Sequence, residues 1–208
     1  MIRLGVLFPQ HLNLNGDLGN AEVISKQLEW RGLASEIVNI ETVADLSTPL
    51  DYILVGHGST AAWAALETLL HSMAPSLKKL ISSGTPGLAI STGFEKLVEQ
   101  GALGNLAVSK LPERISKFHV QGDGDSEVLG YLNTDVDLPI LHREGNWIST
   151  LLHGPVLAKN PNLLEEVLSK IANGAGVALP NIQASEKAGQ LADLIDEVWK
   201  LEKDLASE

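Results

Sequence analysis

The chain has 208 residues, 15 Lys and Arg against 26 Asp and Glu, a formal net charge of −11, 44 % hydrophobic residues and no Cys. The apolar share is enough for the core of one ordinary domain, and the acidic balance argues against nucleic acid or an anionic membrane, both of which attract basic patches. The missing Cys excludes a disulfide framework, a thiolate metal site and a thiol nucleophile; no run approaches the ~20 apolar residues of a membrane helix, and the N-terminal apolar run of about six residues before Pro9 falls short of the ~7–15 of a signal-peptide core, so a cytoplasmic protein without membrane insertion is expected.

Residues 2–8 form an apolar, β-rich run that stops at Pro9. A Gly- and Asn-rich loop over 10–19 follows, and then an amphipathic helix over 20–31 with Ala21, Ile24 and Leu28 on one stripe and Gly32 as its stop. Ser35–Ile40 and residues 51–55 read as the next strands, the second ending at Gly56-His57-Gly58. Residues 60–71 are strongly helical, and 77–82 continue that layer before a Gly84-Thr85-Pro86 turn. Gly87–Ile90 is a fourth strand and 92–100 a helix. Strands spaced by helices of this length imply parallel βαβ units covered on both faces. In such sheets sites form at the carboxyl ends of the strands, which points to the loops at 9–19, 56–59 and 91–93.

The second half changes character. Segments 106–109, 115–121, 128–133, 139–142 and 147–152 are short and alternating, with Gly- and Asp-rich turns between them. They are expected to extend the sheet as mixed or antiparallel strands. Two helices, 162–171 and 184–205, close the chain across a Gly- and Pro-rich linker at 173–181. The last carries Leu191, Leu194, Ile195, Val198 and Leu205 on one stripe, which by its nature faces either the chain's own core or a partner.

Four constellations carry chemistry. In G-L-A-I-S-T-G-F-E-K-L, Ser91 stands between a strand and a helix. That is the position of a nucleophile elbow, with the following N–H groups available to an oxyanion; Ser is equally a favoured helix N-cap. The G-x-S-x-G hydrolase pattern is not met, since Ala89 replaces its first Gly. His153, before Gly154-Pro155, is a candidate general base or a structural His. Gly56-His57-Gly58-Ser59 could aim backbone N–H groups at a ligand or simply form a tight turn. Asp17, in N-G-D-L-G-N, can cap the next helix and shape its loop, and it matches no nucleotide-binding motif. The histidines show no metal-ligand spacing, so neither a metal site nor a cofactor is expected.

Together these segments resemble the cobyric-acid-synthase-like (CobB/CobQ-like) class I glutamine amidotransferases. N-G-D-L-G-N followed by W-R-G resembles their Y-G-D-x-G-N…R-G opening, G-L-A-I-S-T-G-F-E-K-L their L-A-I-C-G-G-Y-Q-L-L, and L-L-H-G-P-V-L-A-K-N-P-N-L their T-Y-L-H-G-P-L-L-x-K-N-P-x-L. The likeness is strongest to the branch that amidates peptidoglycan precursors. It implies a flavodoxin-like α/β domain over residues 1–172, with a mostly parallel central sheet and helices on both faces. Residues 173–208 would then be a linker and a helix packed on the same domain or on a partner. It also implies hydrolysis of glutamine by a Cys–His pair, with ammonia passed to a Mur-ligase-like synthetase subunit. Ser91 stands at the Cys, His153 at the His, Gly58 and the Thr92 N–H at the oxyanion donors, and Arg114 near the glutamine-recognising Arg.

The departures are specific. Ser91 replaces Cys, Thr92 replaces Gly, Phe94-Glu95 replaces Tyr-Gln, and G-H-G-S-T at 56–60 replaces G-G-G-Q-D. Pro155 stands where many relatives carry the acid of a triad. A thiol ionises readily beside an imidazole, whereas a hydroxyl needs a fully oriented base. The expectation is therefore a subunit with weak or lost glutaminase activity. The alternative is an inactive binding or regulatory pseudoenzyme of the same family.

Overall fold

A computed structural model of the chain describes residues 1–104, 106–182 and 186–207. The first half alternates β1 (Ile2–Leu7), α1 (Gly19–Trp30), β2 (Ser35–Ile40), β3 (Tyr52–Val55), α2 (Thr60–Ser82), β4 (Gly87–Ile90) and α3 (Thr92–Glu99). Every residue of β3 and β4 is buried, the pattern of strands covered on both faces. The two helical segments at 60–71 and 77–82 are one helix that runs through Pro75. Pro75 cannot donate to the preceding turn, but Trp63, Leu66, Leu70, Met73 and Leu77 are buried along one side and carry the helix across it.

The main sheet has the order β2-β1-β3-β4-β8-β7, with β7 (Leu141–Glu144) and β8 (Trp147–Thr150) added from the second half. All pairings are parallel except the edge pair β7–β8. The order reverses at β1. Right-handed crossovers therefore place α1 and α2 on opposite faces, and the switch point lies between β1 and β3.

Only part of the second half extends this sheet, which corrects the expectation for segments 106–152. β5 (Lys110–Gln121), β6 (Val128–Val136) and the two-residue β9 (Leu152–His153) form a separate three-stranded antiparallel sheet. Residues 106–109 are not a strand. Leu106 and Val108 do pack on the core, but no neighbouring strand forms a ladder with them. The run 147–152 breaks at Leu151: Thr150 Oγ1 accepts the Leu152 N–H and donates to the Ile140 carbonyl. The chain then crosses to the second sheet, where His153 pairs with Tyr131.

Helices α4 (Val156–Lys159) and α5 (Pro161–Gly174) pack near α1, and α6 (Glu186–Ala206) follows. Residues 184 and 185 of the expected last helix lie outside the described residues. Trp199 Nε1 of α6 donates to the Lys159 carbonyl and Lys203 pairs with Glu127 at 2.7 Å. Its apolar stripe is only partly covered: Leu191, Ile195 and Val198 are half-buried, while Leu194 and Leu205 are exposed. Among the described residues no helix is long and apolar enough to cross a membrane.

Candidate functional site

Four neighbouring strands, β1, β3, β4 and β8, end at one edge of the main sheet. Their register sets Leu7 beside Val55, Val55 beside Ala89, and Ile90 beside Thr150. The loops at 8–18, 56–59 and 91, and the crossing at 151–153, therefore share a rim.

Ser91 turns the chain from β4 into α3 with φ 49° and ψ −115°, left-handed backbone that a non-glycine residue rarely adopts. Such geometry costs about 1–3 kcal/mol and persists only where its surroundings impose it. Here the Ser91 N–H is tied to the Thr150 carbonyl at 2.7 Å. Gly93 lets α3 approach closely, since a Cβ there would lie 2.6 and 2.7 Å from the Val55 and Gly56 carbonyl oxygens. Ser91 stands at the N-cap position, but its side chain makes no capping bond. Its Oγ instead lies 3.0 Å from His153 Nε2, and Ser91 is buried.

The surroundings of His153 define its protonation. Nε2 is 2.9 Å from the Asn133 carbonyl, which can only accept. Nδ1 is 2.6 Å from the Asn15 side-chain amide nitrogen, which can only donate. Both contacts are satisfied by the neutral tautomer with its proton on Nε2. In that state the ring donates toward Ser91 Oγ rather than accepting from it. Burial pushes the His153 pKa down, which keeps the ring neutral at pH 7.

On the other side of the turn, Thr92 Oγ1 accepts from the Gly58 N–H at 3.0 Å and from Trp63 Nε1 at 2.8 Å. Its own proton has two acceptors in reach, His57 Nδ1 and the Gly58 carbonyl, each at 3.1 Å. A hydroxyl has one donor and two lone pairs, so Thr92 is saturated. Of the two backbone donors expected beside Ser91, the Gly58 N–H is thus already engaged within the chain. The His57 ring lies against His153, with centroids 4.6 Å apart. Burial, reinforced by His153 and Arg114, pushes its pKa down to about 4.

Arg114 reaches the same cavity from β5 and donates to Asn133 Oδ1 at 3.2 Å. The cavity is about 370 Å³ and is lined by Ser91, Thr92, His153, His57, Glu95 and Arg114, among others. Asp17 and Gly56 lie behind the rim rather than in the cavity. Asp17 is fully buried and accepts the His57 N–H at 3.3 Å. Burial lifts its pKa to about 6. Gly56 has no room for a Cβ because the Leu12 carbonyl fills that space. The structure so gathers Ser91, His153, Gly58, Thr92, His57 and Arg114 around one cavity. Sequence reasoning missed Asn133 and Trp63 and gave no role to Asn15 or Glu95, although their motifs were noted. Asn15 was findable, being polar in a loop at the carboxyl end of β1; Asn133 meets His153 through its backbone carbonyl, which no side-chain pattern reports. Among the described residues no group of three or more His, Cys, Asp or Glu is placed to hold a metal.

Comparison with known proteins gives the site a context. No family model matches the chain. The chain is similar to the GatD subunit of the glutamine-hydrolysing lipid II isoglutaminyl synthase of Staphylococcus aureus (strain N315), 26 % identical over 200 residues, spanning 80 % of this chain and 82 % of that protein. Among solved structures, PurLQS from Thermotoga maritima matches with a TM-score of 0.52, 14 % identity and 81 % of this chain against 98 % of its own. A glutamine amidotransferase from the same organism matches with a TM-score of 0.50, 15 % identity and 99 % against 94 %. The resemblance to class I glutamine amidotransferases, and within them to the peptidoglycan-amidating branch, is thus borne out, and the fold is the flavodoxin-like fold of class I glutamine amidotransferases.

Proposed function

We propose that the chain is a glutamine amidotransferase-like subunit of the GatD kind, a cytoplasmic partner of a Mur-ligase-like synthetase in peptidoglycan amidation, with weak or lost glutamine hydrolysis. The observation that carries this reading is the approach of Ser91 Oγ to His153 Nε2, 3.0 Å apart at the turn where the resembled family has its Cys.

The reaction such a pair performs is simple to balance. Ser91 Oγ bonds to the side-chain carboxamide carbon of glutamine, and its proton passes to His153 Nε2. The C–N bond breaks and ammonia leaves with that proton. Water then cleaves the ester, releasing glutamate and restoring the hydroxyl. Arg114, a cation on the cavity wall, suits the α-carboxylate of the amino acid. Two features oppose the first step. A hydroxyl is a far weaker nucleophile than a thiolate at pH 7 unless a base is fully oriented toward it. The contacts of His153 favour the tautomer whose proton, not its lone pair, faces Ser91.

That tautomer also favours a second reading, in which the subunit binds glutamine or its partner without hydrolysis. The test is glutamine binding by calorimetry, with ammonia release measured for the chain alone and with the synthetase. Expected are binding of both glutamine and synthetase and, at most, residual turnover. Turnover equal to that of thiol-bearing relatives removes the claim of weakened chemistry. Failure to bind either glutamine or a Mur-ligase-like protein removes the subunit reading.

A further inference from the structure

We infer that Thr92 is a second, independent block on amide hydrolysis: its hydroxyl occupies the Gly58 N–H, so one of the two backbone donors expected for the oxyanion is taken whatever nucleophile stands at 91. The inference rests on the reading of the cavity as an amidotransferase site and goes beyond the exchange of Cys for Ser.

A developing oxyanion needs donors already aimed at it, because reorienting them at the moment of reaction forfeits the advantage of a preorganised site. The resemblance assigns the oxyanion donors to the backbone N–H groups of residues 58 and 92, and both residues line the cavity with Ser91. The Gly58 N–H points at Thr92 Oγ1 at 3.0 Å. That oxygen cannot be drawn away cheaply, since it also accepts from Trp63 Nε1 at 2.8 Å and its own proton goes to His57 Nδ1 or the Gly58 carbonyl. Gly58 is packed so tightly that a Cβ would lie 2.6 Å from Leu12 Cδ2 and 3.1 Å from Trp63 Nε1. Glycine at position 92 has no hydroxyl and leaves the Gly58 N–H facing the cavity. Thr92 is thus a positioning residue acting through Gly58, and the change to Thr converts a donor for the ligand into an internal hydrogen bond.

The test places Ser, Ala and Gly at position 92 in a Ser91→Cys background, with folding checked by circular dichroism. Restoring one oxyanion donor is worth roughly 10²–10³ in kcat. The expected result is that Ser91→Cys alone stays nearly silent, and that adding Thr92→Ala or Thr92→Gly raises kcat about a hundredfold or more with little change in KM. Adding Thr92→Ser, which keeps the hydroxyl, should not. Amide hydrogen exchange at Gly58 supplies a readout without activity: Thr92→Ala should speed it at least about tenfold and Thr92→Ser should not. Two results overturn the inference while leaving the amidotransferase reading intact. One is Ser91→Cys turning over as fast as the double variants. The other is glutamine binding with no kcat gain from removing the hydroxyl. Absence of glutamine binding in every variant takes down both, and is recognised by calorimetry before any rate is measured.

Discussion

The turn at residues 91 and 92 separates two corners of one cavity that have met opposite fates. At Ser91 the backbone is strained, the side chain makes no capping bond, and a single contact joins it to His153. At Thr92 the backbone is ordinary helix and the hydroxyl is fully bonded, holding Gly58, Trp63 and His57 together. One corner keeps the geometry of a reactive site without its strongest nucleophile. The other satisfies its polar groups entirely within the chain. The two corners carry different signatures: strained backbone with one side-chain contact at Ser91, and a saturated hydroxyl at Thr92.

The contrast breaks most sharply at Gly56, on the loop that carries Gly58. A Cβ there would run into the Leu12 carbonyl, and the next nearest atom is Asp17 Cβ at 3.0 Å. Neither is the free end of a flexible side chain, so relief requires backbone movement. Gly56→Ala should cost more than about 3 kcal/mol, in the range of severe overpacking. Urea unfolding measures it. A loss under about 1 kcal/mol would mean that the 56–58 loop is free to move and that the Thr92 corner is not fixed by its surroundings.

How much of this was legible follows the same physics. Fully apolar runs such as YILV and GLAI announce buried parallel strands, and strand ends announce the rim, so Ser91, Gly58 and Asp17 could be located from spacing. The second half resisted because alternation reports a half-buried strand but not which sheet it joins. Nothing in W-I-S-T-L-L-H marks the place where Thr150 turns its hydroxyl inward and sends His153 to β6. Position 92 was recognised as a departure, but its consequence was invisible. It depends on a contact between residues 34 positions apart, and only the fold brings Gly58 and Thr92 within 3.0 Å.

A middle-sized effect sits beneath the rim, where Asp17 and His57 titrate over the same span in opposite senses. Asp17 is fully buried and its carboxyl is lifted from 3.8 to about 6. The folded state therefore holds the proton more tightly than the unfolded one, and stability is lost as pH rises from about 4 through 6. At 1.36 kcal/mol for each pKa unit, the ionised group costs on the order of 2–3 kcal/mol at pH 7. His57 is depressed from 6.5 to about 4, so folding excludes its proton and stability is lost as pH falls across that range. In the wild type the two slopes oppose each other. Asp17→Asn keeps an acceptor for the His57 N–H and removes one slope. The variant should match or exceed the wild type at pH 7, then lose stability steadily on acidification to pH 4.5, where the wild-type curve is flatter. Denaturant midpoints at four or five pH values decide it, and parallel curves would show that Asp17 is not held protonated by burial.

The smallest effect isolates the strain at Ser91. Ser91→Ala and Ser91→Gly both delete the contact with His153, so their difference carries no hydrogen-bond term. In ordinary backbone Ala is the more stabilising of the two, because Gly leaves the unfolded chain with more freedom to lose. At φ 49° and ψ −115° a Cβ is itself the source of strain. The order should therefore invert, with Ser91→Gly more stable than Ser91→Ala by about 1 kcal/mol, the excess of released strain over added chain entropy. The usual order would mean that the turn relaxes once the hydroxyl is gone, and that the bond to His153, rather than the packing of Gly93 against β3, holds the elbow in shape.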